Sequence, residues 1–333
     1  MFLYKKLENN QIQCLACNHY CKISNNQAWI CWVRKNDNWK LNLLIYGKAL
    51  WINVDPIEKK PLYHFLPWTK VFSFWTAWCN FRCQFCQNRH MSQAKSFPEI
   101  INQWKKLQSQ EIVDHCLENN IPSIAYTYNE PTVFFEYAYD TMKLAKKKWI
   151  KNVWVSNGYM SCELLKKIKN LIDAINIDLK SFDENFYNKI CWAKLKPVLD
   201  NIKWFKKNKI RVEITTMIIP WLNDSEYNIE KIAKFIYKVS PSIPRHISAF
   251  YPNYKMQNIQ STWLEILSKA YEIWKKVWLE YIYIGNVVNN WHENTHCSAC
   301  GLKLTSRNWY NVEINSEKWI CPSCKNKIAW IRK

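Results

Sequence analysis

The residues best placed to do chemistry in this sequence are three closely spaced cysteines. Cys79, Cys83 and Cys86 lie in the stretch Cys-Asn-Phe-Arg-Cys-Gln-Phe-Cys, with three and then two residues between them. A cubane [4Fe–4S] cluster is ordinarily held by four cysteine thiolates. Three thiolates would therefore leave one iron open to a substrate or cofactor. The alternative is three reduced core cysteines, but the polar and charged neighbours of this stretch favour a loop.

Four further motifs follow these cysteines along the chain: Thr127-Tyr-Asn-Glu-Pro131, Ser156-Asn-Gly-Tyr159, Asp178-Leu-Lys180 and Ile219-Pro-x-Leu-Asn-Asp224. Together, in this order, the motifs resemble those of the pyruvate formate-lyase activating enzyme branch of the radical S-adenosylmethionine (SAM) proteins. The cysteine-rich opening and the segment from Asp55 to Pro67 resemble more closely the radical SAM member of the AmmeMemoRadiSam system. The resemblance extends from about residue 10 to about residue 300.

This resemblance implies a reaction and its cofactors. In such proteins SAM binds the open iron through its amino and carboxylate groups, and an electron from the cluster releases a 5′-deoxyadenosyl radical. The chain is therefore expected to be an oxidoreductase that uses a [4Fe–4S] cluster and SAM, with flavodoxin or ferredoxin as electron donor. The expected target is a protein or peptide, as for an activase, and a small molecule or nucleotide is the alternative. The remaining alternative is a zinc-binding nucleic-acid module without catalysis.

The resemblance also implies contacts to the adenine and amino ends of SAM. Phe85 would pack near the adenine, or else serve as a plain hydrophobic anchor, and Cys86 and Gln87 follow it directly. Asn129 and Glu130 occupy the place of the family's Gly-Gly-Glu-Pro motif, which makes the backbone contact less secure than the carboxylate. Glu130 would accept hydrogen bonds from the SAM ammonium. The alternative for Glu130 is an acid at a helix N-terminus, favoured by the helix dipole.

Three polar residues would line the ribose and methionine end of SAM by the same resemblance: Asn157, Asp178 and Lys180. Asp178 and Lys180 are two apart on a predicted strand and so point to the same face. Facing a barrel interior, this charged pair needs polar partners, because unpaired buried charge is costly. Activases often carry a histidine after the sixth strand. Here His246 lies at the start of that strand and Tyr251 near its end, so that role stays open.

Two more sets of cysteines predict metal sites at the ends of the chain. The C-terminal set has the paired spacing of a four-thiolate zinc ribbon, with an auxiliary iron–sulfur cluster or vestigial cysteines as alternatives. The N-terminal set is less regular and is interpreted as one tetrahedral zinc site, with His19 as a spare ligand. An accessory cluster is its rival, because metal identity does not follow from a cysteine count. The C-terminal set is Cys297, Cys300, Cys321 and Cys324, the N-terminal set is Cys14, Cys17, Cys21 and Cys31, and the single cysteines interpreted as buried or incidental are Cys116, Cys162 and Cys191.

Composition excludes several other classes of protein. The start of the chain lacks the apolar region of a signal peptide, and no run of 18 uncharged apolar residues predicts a membrane span. Short paired spacings among 14 cysteines, in a chain of 333 residues with a large core, indicate metal ligation in a reducing cytoplasm. The net charge of +20 rests on lysine far more than arginine. Lysines on helix faces favour a solvated surface over a nucleic-acid site, which prefers arginine.

The order of strand-like and helix-like segments predicts the fold. Residues 1–68 form a predicted N-terminal cysteine-rich module, residues 69–288 a core of alternating strands and helices, and residues 289–333 a zinc-ribbon-like tail. The predicted class is α/β, a partial (β/α)6 TIM-like radical SAM barrel with small cysteine-rich metal-binding modules at both ends. Its strands are predicted at Val71–Thr76, Ser123–Tyr126, Asn152–Ser156, Ala174–Asp178, Arg211–Ile218 and His246–Phe250, and its helices near Pro131–Lys148, Cys162–Lys169, Lys196–Lys207, Ser225–Val239 and Leu264–Val277.

Tryptophan and glycine occur in unusual numbers. The chain has 20 Trp and 4 Gly, whereas glycine makes up about 7% of an average protein. Five of the tryptophans stand at glycine positions of the family pattern: Trp32, Trp68, Trp75, Trp78 and Trp221. Four others stand where a helix end or turn calls for a left-handed residue, namely Trp149, Trp192, Trp274 and Trp278. The hypothesis is that most are UGA codons read as glycine in nature, whereas Trp154 and Trp204 fit their surroundings.

Overall fold

A computed structural model describes residues 2–93, 104–288, 291–308, 310–314 and 320–331. Its centre is one eight-stranded sheet whose strands lie side by side in chain order. The first strand is antiparallel to the second, and all later neighbours are parallel. The strands are β1 (Trp51–Pro56), β2 (Lys70–Trp75), β3 (Ser123–Tyr126), β4 (Lys151–Ser156), β5 (Ala174–Asp178), β6 (Arg211–Ile218), β7 (Arg245–Ala249) and β8 (Ile282–Gly285).

One longer helix follows each strand from β2 to β7, which gives six strand–helix units. These are α1 (Ser109–Glu118), α2 (Phe135–Lys147), α3 (Cys162–Ile168), α4 (Leu195–Lys207), α5 (Glu226–Val239) and α6 (Leu264–Lys276). Short turns are the 3₁₀ helices Ile57–Lys59, Pro131–Phe134 and Trp291–Glu293, the α-turns Arg89–Ser92 and Glu184–Phe186, and the π-turn Tyr187–Cys191.

The helices pack on the sheet through stripes of apolar residues. In α5, Ile229, Ile232, Ala233 and Ile236 are buried, and their spacing of three and four residues places them on one helix face. The strands beneath are buried on both faces, as a parallel sheet covered by helices requires. The predicted α/β fold with six strand–helix units is confirmed. The strands β1 and β8 and the helix α1 were not predicted.

Smaller sheets flank the central sheet. Tyr4–Lys6, Ile12–Cys14 and Lys22–Ile23 form an antiparallel sheet, and Arg34–Asp37 pairs with Lys40–Leu43. Lys48–Ala49 pairs with Lys105–Lys106, and near the C-terminus Thr295–His296, Lys303–Asn308 and Asn311–Ile314 form a fourth small sheet. The predicted boundaries at residues 68 and 288 stay predictions, although β1 joins the segment before residue 68 to the central sheet.

The segment after β1 is held against the central sheet by buried polar contacts. Asp55 and Lys60 form an ion pair with 2.6 Å between Oδ2 and Nζ, and both side chains are buried. The backbone N–H groups of Tyr63 and His64 donate to the buried carboxylate of Glu213 on β6. A buried carboxylate needs hydrogen-bond donors. The backbone of this segment supplies them to Glu213, and these hydrogen bonds hold the segment against β6.

Eight tryptophans have left-handed backbone conformations, with φ between 57° and 72°. They are Trp32, Trp39, Trp68, Trp78, Trp149, Trp192, Trp221 and Trp278. Bulky residues rarely adopt this region, which costs about 1–2 kcal/mol for a residue with a Cβ atom. Trp149 and Trp278 follow the ends of α2 and α6, where glycine is the usual residue, and their side chains are 85% and 80% exposed.

The expectation for Trp274 was wrong. It lies inside α6, its indole is fully buried, and its Nε1 donates to the carbonyl of Ile229 at 3.0 Å. Trp75 is the last residue of β2 and has no left-handed backbone. We propose that the natural protein has glycine at the eight left-handed positions. The hypothesis for Trp75 stays a prediction.

Replacing Trp149 or Trp278 by glycine should raise the free energy of unfolding by about 1 kcal/mol, because glycine adopts the left-handed region without a Cβ clash. Urea unfolding of each single variant measures this change. The control is Trp274→Gly, which should lower the free energy of unfolding by about 3 kcal/mol or more through loss of buried contacts. Stability that is unchanged or lower in both test variants would contradict the proposal.

The codons of the gene give an independent measurement of the same hypothesis. UGA codons are expected at the eight left-handed positions and at Trp75, and a UGG codon at Trp154. UGG codons at Trp78 and Trp221 would show that these residues are native tryptophans with strained backbones.

Candidate active site

A cavity of about 380 Å³ opens where β2 to β7 end. In parallel α/β folds this carboxyl edge is where ligands bind. The residues predicted from the motifs all line this one cavity, although they are spread over about a hundred positions of the chain. They are Cys79, Cys83, Phe85, Cys86, Gln87, Asn129, Glu130, Asn157, Asp178 and Lys180.

The three cysteines lie on the cluster loop, the segment of residues 76–92 that follows β2. The Phe81 N–H donates to Cys79 Sγ at 3.3 Å, and Cys86 Sγ lies 2.9 Å from Ser92 Oγ. Burial raises the pKa of the Cys79 thiol well above its usual value, and the nearby carboxylate of Glu130 adds to that rise. A metal that binds this thiol must therefore displace its proton.

The three sulfurs are not grouped as the ligands of a single ion would be. Zinc–sulfur bonds of about 2.3 Å in a tetrahedron place neighbouring sulfurs about 4 Å apart. In the described part of the chain, the group of candidate ligand atoms that all lie within 4.8 Å of one another is the C-terminal set. Cys79, Cys83 and Cys86 do not form such a group.

Asn129 fixes the start of the cluster loop. Its Nδ2 donates to the carbonyls of Ala77 and Trp78 at 3.2 and 2.9 Å and to Thr76 Oγ1 at 2.9 Å. Its Oδ1 accepts from the Thr76 N–H at 3.3 Å. The side chain is thus committed to the protein backbone, and the expected contact of this residue with SAM stays a prediction.

Glu130 is buried and both of its carboxylate oxygens already have partners. Oε1 accepts from Ser156 Oγ at 2.8 Å and from the Thr132 N–H at 3.1 Å, and Oε2 accepts from the Asn157 N–H at 2.8 Å. Burial raises the pKa of Glu130, while these donors oppose the rise. The carboxylate caps the turn that starts at Pro131. Its position fits the alternative of an acid at a helix N-terminus, and the proposed SAM contact remains a prediction.

Asn157 connects the strand β4 to the cluster loop. Its Nδ2 donates to Asn80 Oδ1 at 2.8 Å and lies 3.7 Å from Cys79 Sγ. Its Oδ1 accepts from the Tyr159 N–H at 3.1 Å. The amide therefore orients the first cysteine of the loop while one edge of it lines the cavity.

Asp178 and Lys180 face the cavity as an ion pair, with 3.0 Å between Oδ2 and Nζ. Burial alone would lower the pKa of Lys180, but attraction to the Asp178 carboxylate and to Cys83 in its thiolate form raises it well above its usual value. The ammonium also lies 5.6 Å from the centre of the Phe85 ring. Lys180 is thus a fixed positive charge beside the cysteines.

Several residues that line the cavity, and one that contacts a lining cysteine, had no predicted role in the site. Tyr128 has a left-handed backbone, with φ of 66°, at the place of a family glycine, and its hydroxyl donates to Asp55. Cys191, interpreted as incidental, forms a hydrogen bond with Cys83 that lowers the pKa of the Cys83 thiol. No motif marked Cys191. The other lining residues, which had no predicted role in the site, are Lys59, Pro61, Phe81, Asn88, Ser92, Thr127, Val155, Ser156, Thr215, Met217 and Ser248.

Neither candidate for the missing histidine role lines the cavity. His246 is buried at the start of β7 and pairs with Glu213 at 2.9 Å. The hydroxyl of Tyr251 donates to the carbonyl of Asn286. Trp75 and Trp78, which flank the cluster loop, also lie outside the lining of the cavity. Trp75 packs on Tyr128, and Trp78 stacks with Trp104.

The C-terminal cysteine set forms a compact group of four thiols. Cys297 Sγ lies 3.6 Å from Cys324 Sγ, and Cys300 Sγ lies 3.6 Å from Cys321 Sγ. This spacing matches a tetrahedral ion with four sulfur ligands. The set could therefore hold a metal.

The N-terminal cysteine set also converges, around a second and smaller cavity. All four cysteines line it together with His19, Arg34 and Asn80. The ring of His19 is engaged elsewhere, because its Nε2 lies 2.8 Å from the carbonyl oxygen of Asn80.

Within the described ranges, no helix is long and apolar enough to cross a membrane.

Comparison with known proteins identifies relatives of this chain. The profile of the Radical SAM superfamily matches residues 73–236. An uncharacterized protein of Methanocaldococcus jannaschii is 40% identical over 329 residues, which cover 98% of this chain and 97% of that protein. A putative glycyl-radical enzyme activating enzyme of the same organism is 32% identical over 166 residues, 47% of this chain and 59% of that protein.

Among solved structures, a radical SAM methyltransferase from Sphaerobacter thermophilus superimposes with a TM-score of 0.52 at 12% identity, over 71% of this chain and 70% of that chain. At this identity the likeness shows the fold alone. The profile match includes the three cysteines of the cluster loop and the Asp178–Lys180 pair. The chain therefore belongs to the radical SAM superfamily and is an enzyme that resembles glycyl-radical activating enzymes.

Proposed function

We propose that this enzyme cleaves SAM at a [4Fe–4S] cluster bound by Cys79, Cys83 and Cys86, and that the resulting radical abstracts hydrogen from a protein or peptide. The observation that carries the proposal is the meeting of three thiols and the Asp178–Lys180 pair in one cavity at the carboxyl edge of the sheet. When bound, the cluster and SAM supply one electron and a 5′-deoxyadenosyl radical.

The protein side chains would bind and orient these groups. Asn157 holds Asn80 and Cys79 in place, so the first thiolate is oriented before metal binds. Lys180 offers a positive charge close to Cys83, which favours an anionic cluster and the carboxylate of SAM. Phe85 presents an aromatic ring to the cavity, a surface on which an adenine can stack.

The size of the cavity supports a large target. Ligand cavities range over roughly 300–1,000 Å³, and this one, at about 380 Å³, is near the lower limit. A cluster with one nucleoside-sized cofactor would fill most of it. A substrate would then have to approach from the opening, as a peptide segment can. The relative with an activating-enzyme name supports the same target class.

We also propose a family branch, a compartment, an electron donor and a structural metal for this enzyme. The cysteine-rich opening and the segment that contains Asp55, Lys60 and His64 support the AmmeMemoRadiSam branch. The expected compartment is the cytoplasm, the expected donor is flavodoxin or ferredoxin, and the expected metal of the C-terminal set is zinc.

Anaerobic reconstitution should give an oxygen-sensitive [4Fe–4S] cluster, and addition of dithionite and SAM should yield 5′-deoxyadenosine and methionine. Cys83→Ala should abolish this cleavage, because two thiolates cannot hold the site-differentiated cluster. Chromatography of the two products measures the reaction.

The matched control is Cys116→Ala, which removes a buried cysteine in α1 away from the cavity and should retain cleavage. Full cleavage by the Cys83→Ala variant would contradict the cluster assignment. To test the target, the enzyme is mixed with a glycyl-radical enzyme, and a protein-bound radical signal is expected in the EPR spectrum. Cleavage of SAM without any such signal would contradict the activase role.

Replacing Cys321 and Cys324 by serine should unfold the C-terminal tail and lower zinc by about one atom per chain, because structural zinc contributes directly to folding. Metal analysis and limited proteolysis measure both effects. SAM cleavage should survive in part, since the set lies outside the lining of the active-site cavity. Iron instead of zinc, in a protein that lacks the cysteines of the other two sets, would contradict the zinc assignment.

A further inference from the structure

A rare kind of turn lies against the cluster loop. The π-turn Tyr187–Cys191 has the wide backbone bonding that is uncommon in proteins and is frequent at functional sites. The carbonyl of Cys191 accepts from the Arg82 N–H at 2.9 Å, and the carbonyl before it accepts from the Gln84 N–H at 3.1 Å. These two bonds lie on either side of Cys83. The π-turn is therefore the backbone partner of the segment that carries the second cysteine of the loop.

Aromatic rings and one further hydrogen bond hold the π-turn in this place. The rings of Tyr187 and Phe81 have centroids 6.3 Å apart, and those of Phe186 and Phe85 are 5.9 Å apart. The Tyr187 hydroxyl accepts from the Lys180 N–H at 3.1 Å. The turn is thus fixed both to the cluster loop and to the segment that follows β5.

The side chain of Cys191 faces the sulfur of Cys83. Cys191 is fully buried, and its thiol forms a hydrogen bond with Cys83. This bond is the main cause that lowers the pKa of the Cys83 thiol. Burial, together with the same bond, raises the pKa of Cys191 well above its usual value. Cys191 therefore keeps its proton and donates it to the sulfur of Cys83.

The position of Cys191 suits a donor to a ligand and not a fourth ligand. Cys83 lines the active-site cavity, but Cys191 is not among the described residues that line it. Its thiol thus lies behind Cys83 and leaves the iron that faces SAM open. Hydrogen bonds to the sulfurs of an iron–sulfur cluster help to set its reduction potential.

The direction of this effect follows from charge. Reduction adds one negative charge to the cluster and its thiolates, so a hydrogen bond to a thiolate stabilises the reduced form more than the oxidised form. The interior of the protein screens this interaction less than water does. A buried thiol donor beside Cys83 should therefore make the cluster easier to reduce.

We infer that Cys191 is a positioning residue for the cluster: its thiol donates a hydrogen bond to the Cys83 thiolate and raises the reduction potential. This inference rests on the proposed cluster at Cys79, Cys83 and Cys86. A one-electron protein donor of the flavodoxin or ferredoxin class gives one electron to the cluster and is itself oxidised by one electron. Cys191 keeps its proton in both states of the cluster.

The first experiment measures the reduction potential by an EPR-monitored redox titration of the reconstituted full-length protein without SAM. Cys191→Ala removes the donor. Its equilibrium constant for reduction should fall by about threefold, or ~28 mV for one electron at 59 mV per tenfold. Cys191→Ser keeps a hydroxyl donor and should recover most of that shift. The matched control is Cys116→Ala, a buried cysteine of α1, which should leave the potential unchanged.

Two results of this titration would overturn the inference. One is an unchanged potential in a Cys191→Ala protein that holds about four irons per chain, the content of one cubane. The other is an equal shift in the alanine and serine variants, because the loss of sulfur and not of the donor would then be the cause. If the alanine variant takes up no cluster, Cys191→Val, which fills the space without a donor, takes its place. Loss of the cluster in all three variants would show a purely structural role and would also overturn the inference.

A second experiment detects the hydrogen bond itself. The thiol proton of Cys191 exchanges in deuterium oxide and should couple magnetically to the reduced cluster. ENDOR spectroscopy should therefore show an exchangeable proton signal that Cys191→Ala lacks and Cys191→Ser retains. Identical exchangeable signals in the unmodified and alanine proteins would count against the donor role and overturn the inference.

Neither measurement uses SAM, so the failure of this inference and that of the proposed function are distinguishable. If the potential depends on Cys191 but the protein leaves SAM intact with dithionite, the proposed function fails and the role of Cys191 stands. If the protein cleaves SAM but its potential does not depend on Cys191, the inference alone fails.

Discussion

The structure of the active site depends on the hydrogen bonds of one buried amide. The Asn129 side chain bonds to the backbone of Thr76, Ala77 and Trp78, at the place where β2 turns into the cluster loop. Loop backbone has no strand partner there, so its polar groups need other ones. Asn129 supplies them from the neighbouring strand–helix connection. The position of the first cysteine therefore follows from the pairing of β2 with β3.

From this point the fold brings the other groups together. Each motif ends a strand, and parallel strands bring their carboxyl ends to one edge. Glu130 links the β3 and β4 connections through Ser156 and the Asn157 N–H, and Asn157 returns to the cluster loop. The Glu130 carboxylate therefore holds two connections together directly, and it reaches the cluster loop through Asn157.

The sequence predicted the six strand–helix units and ten of the residues that line the cavity. It could do so because the periodicity of apolar residues predicts where each strand ends, and the motifs follow those ends. It missed the two edge strands of the sheet, which are β8 and the largely exposed β1. It also missed Cys191, since only the fold brings a π-turn next to Cys83. Trp274 was misjudged because a position one turn before a helix end can face the core.

Of the eight tryptophans with left-handed backbones, Trp149, Trp192, Trp221 and Trp278 expose most of their indole to solvent. Intrinsic fluorescence of this chain would therefore be dominated by rings that already contact water in the folded state. Emission from the buried Trp154 and Trp274, which does report on the core, would be a minor part of the signal. The same four rings place apolar area on helix ends and turns, where the glycine proposed for the natural protein would place none.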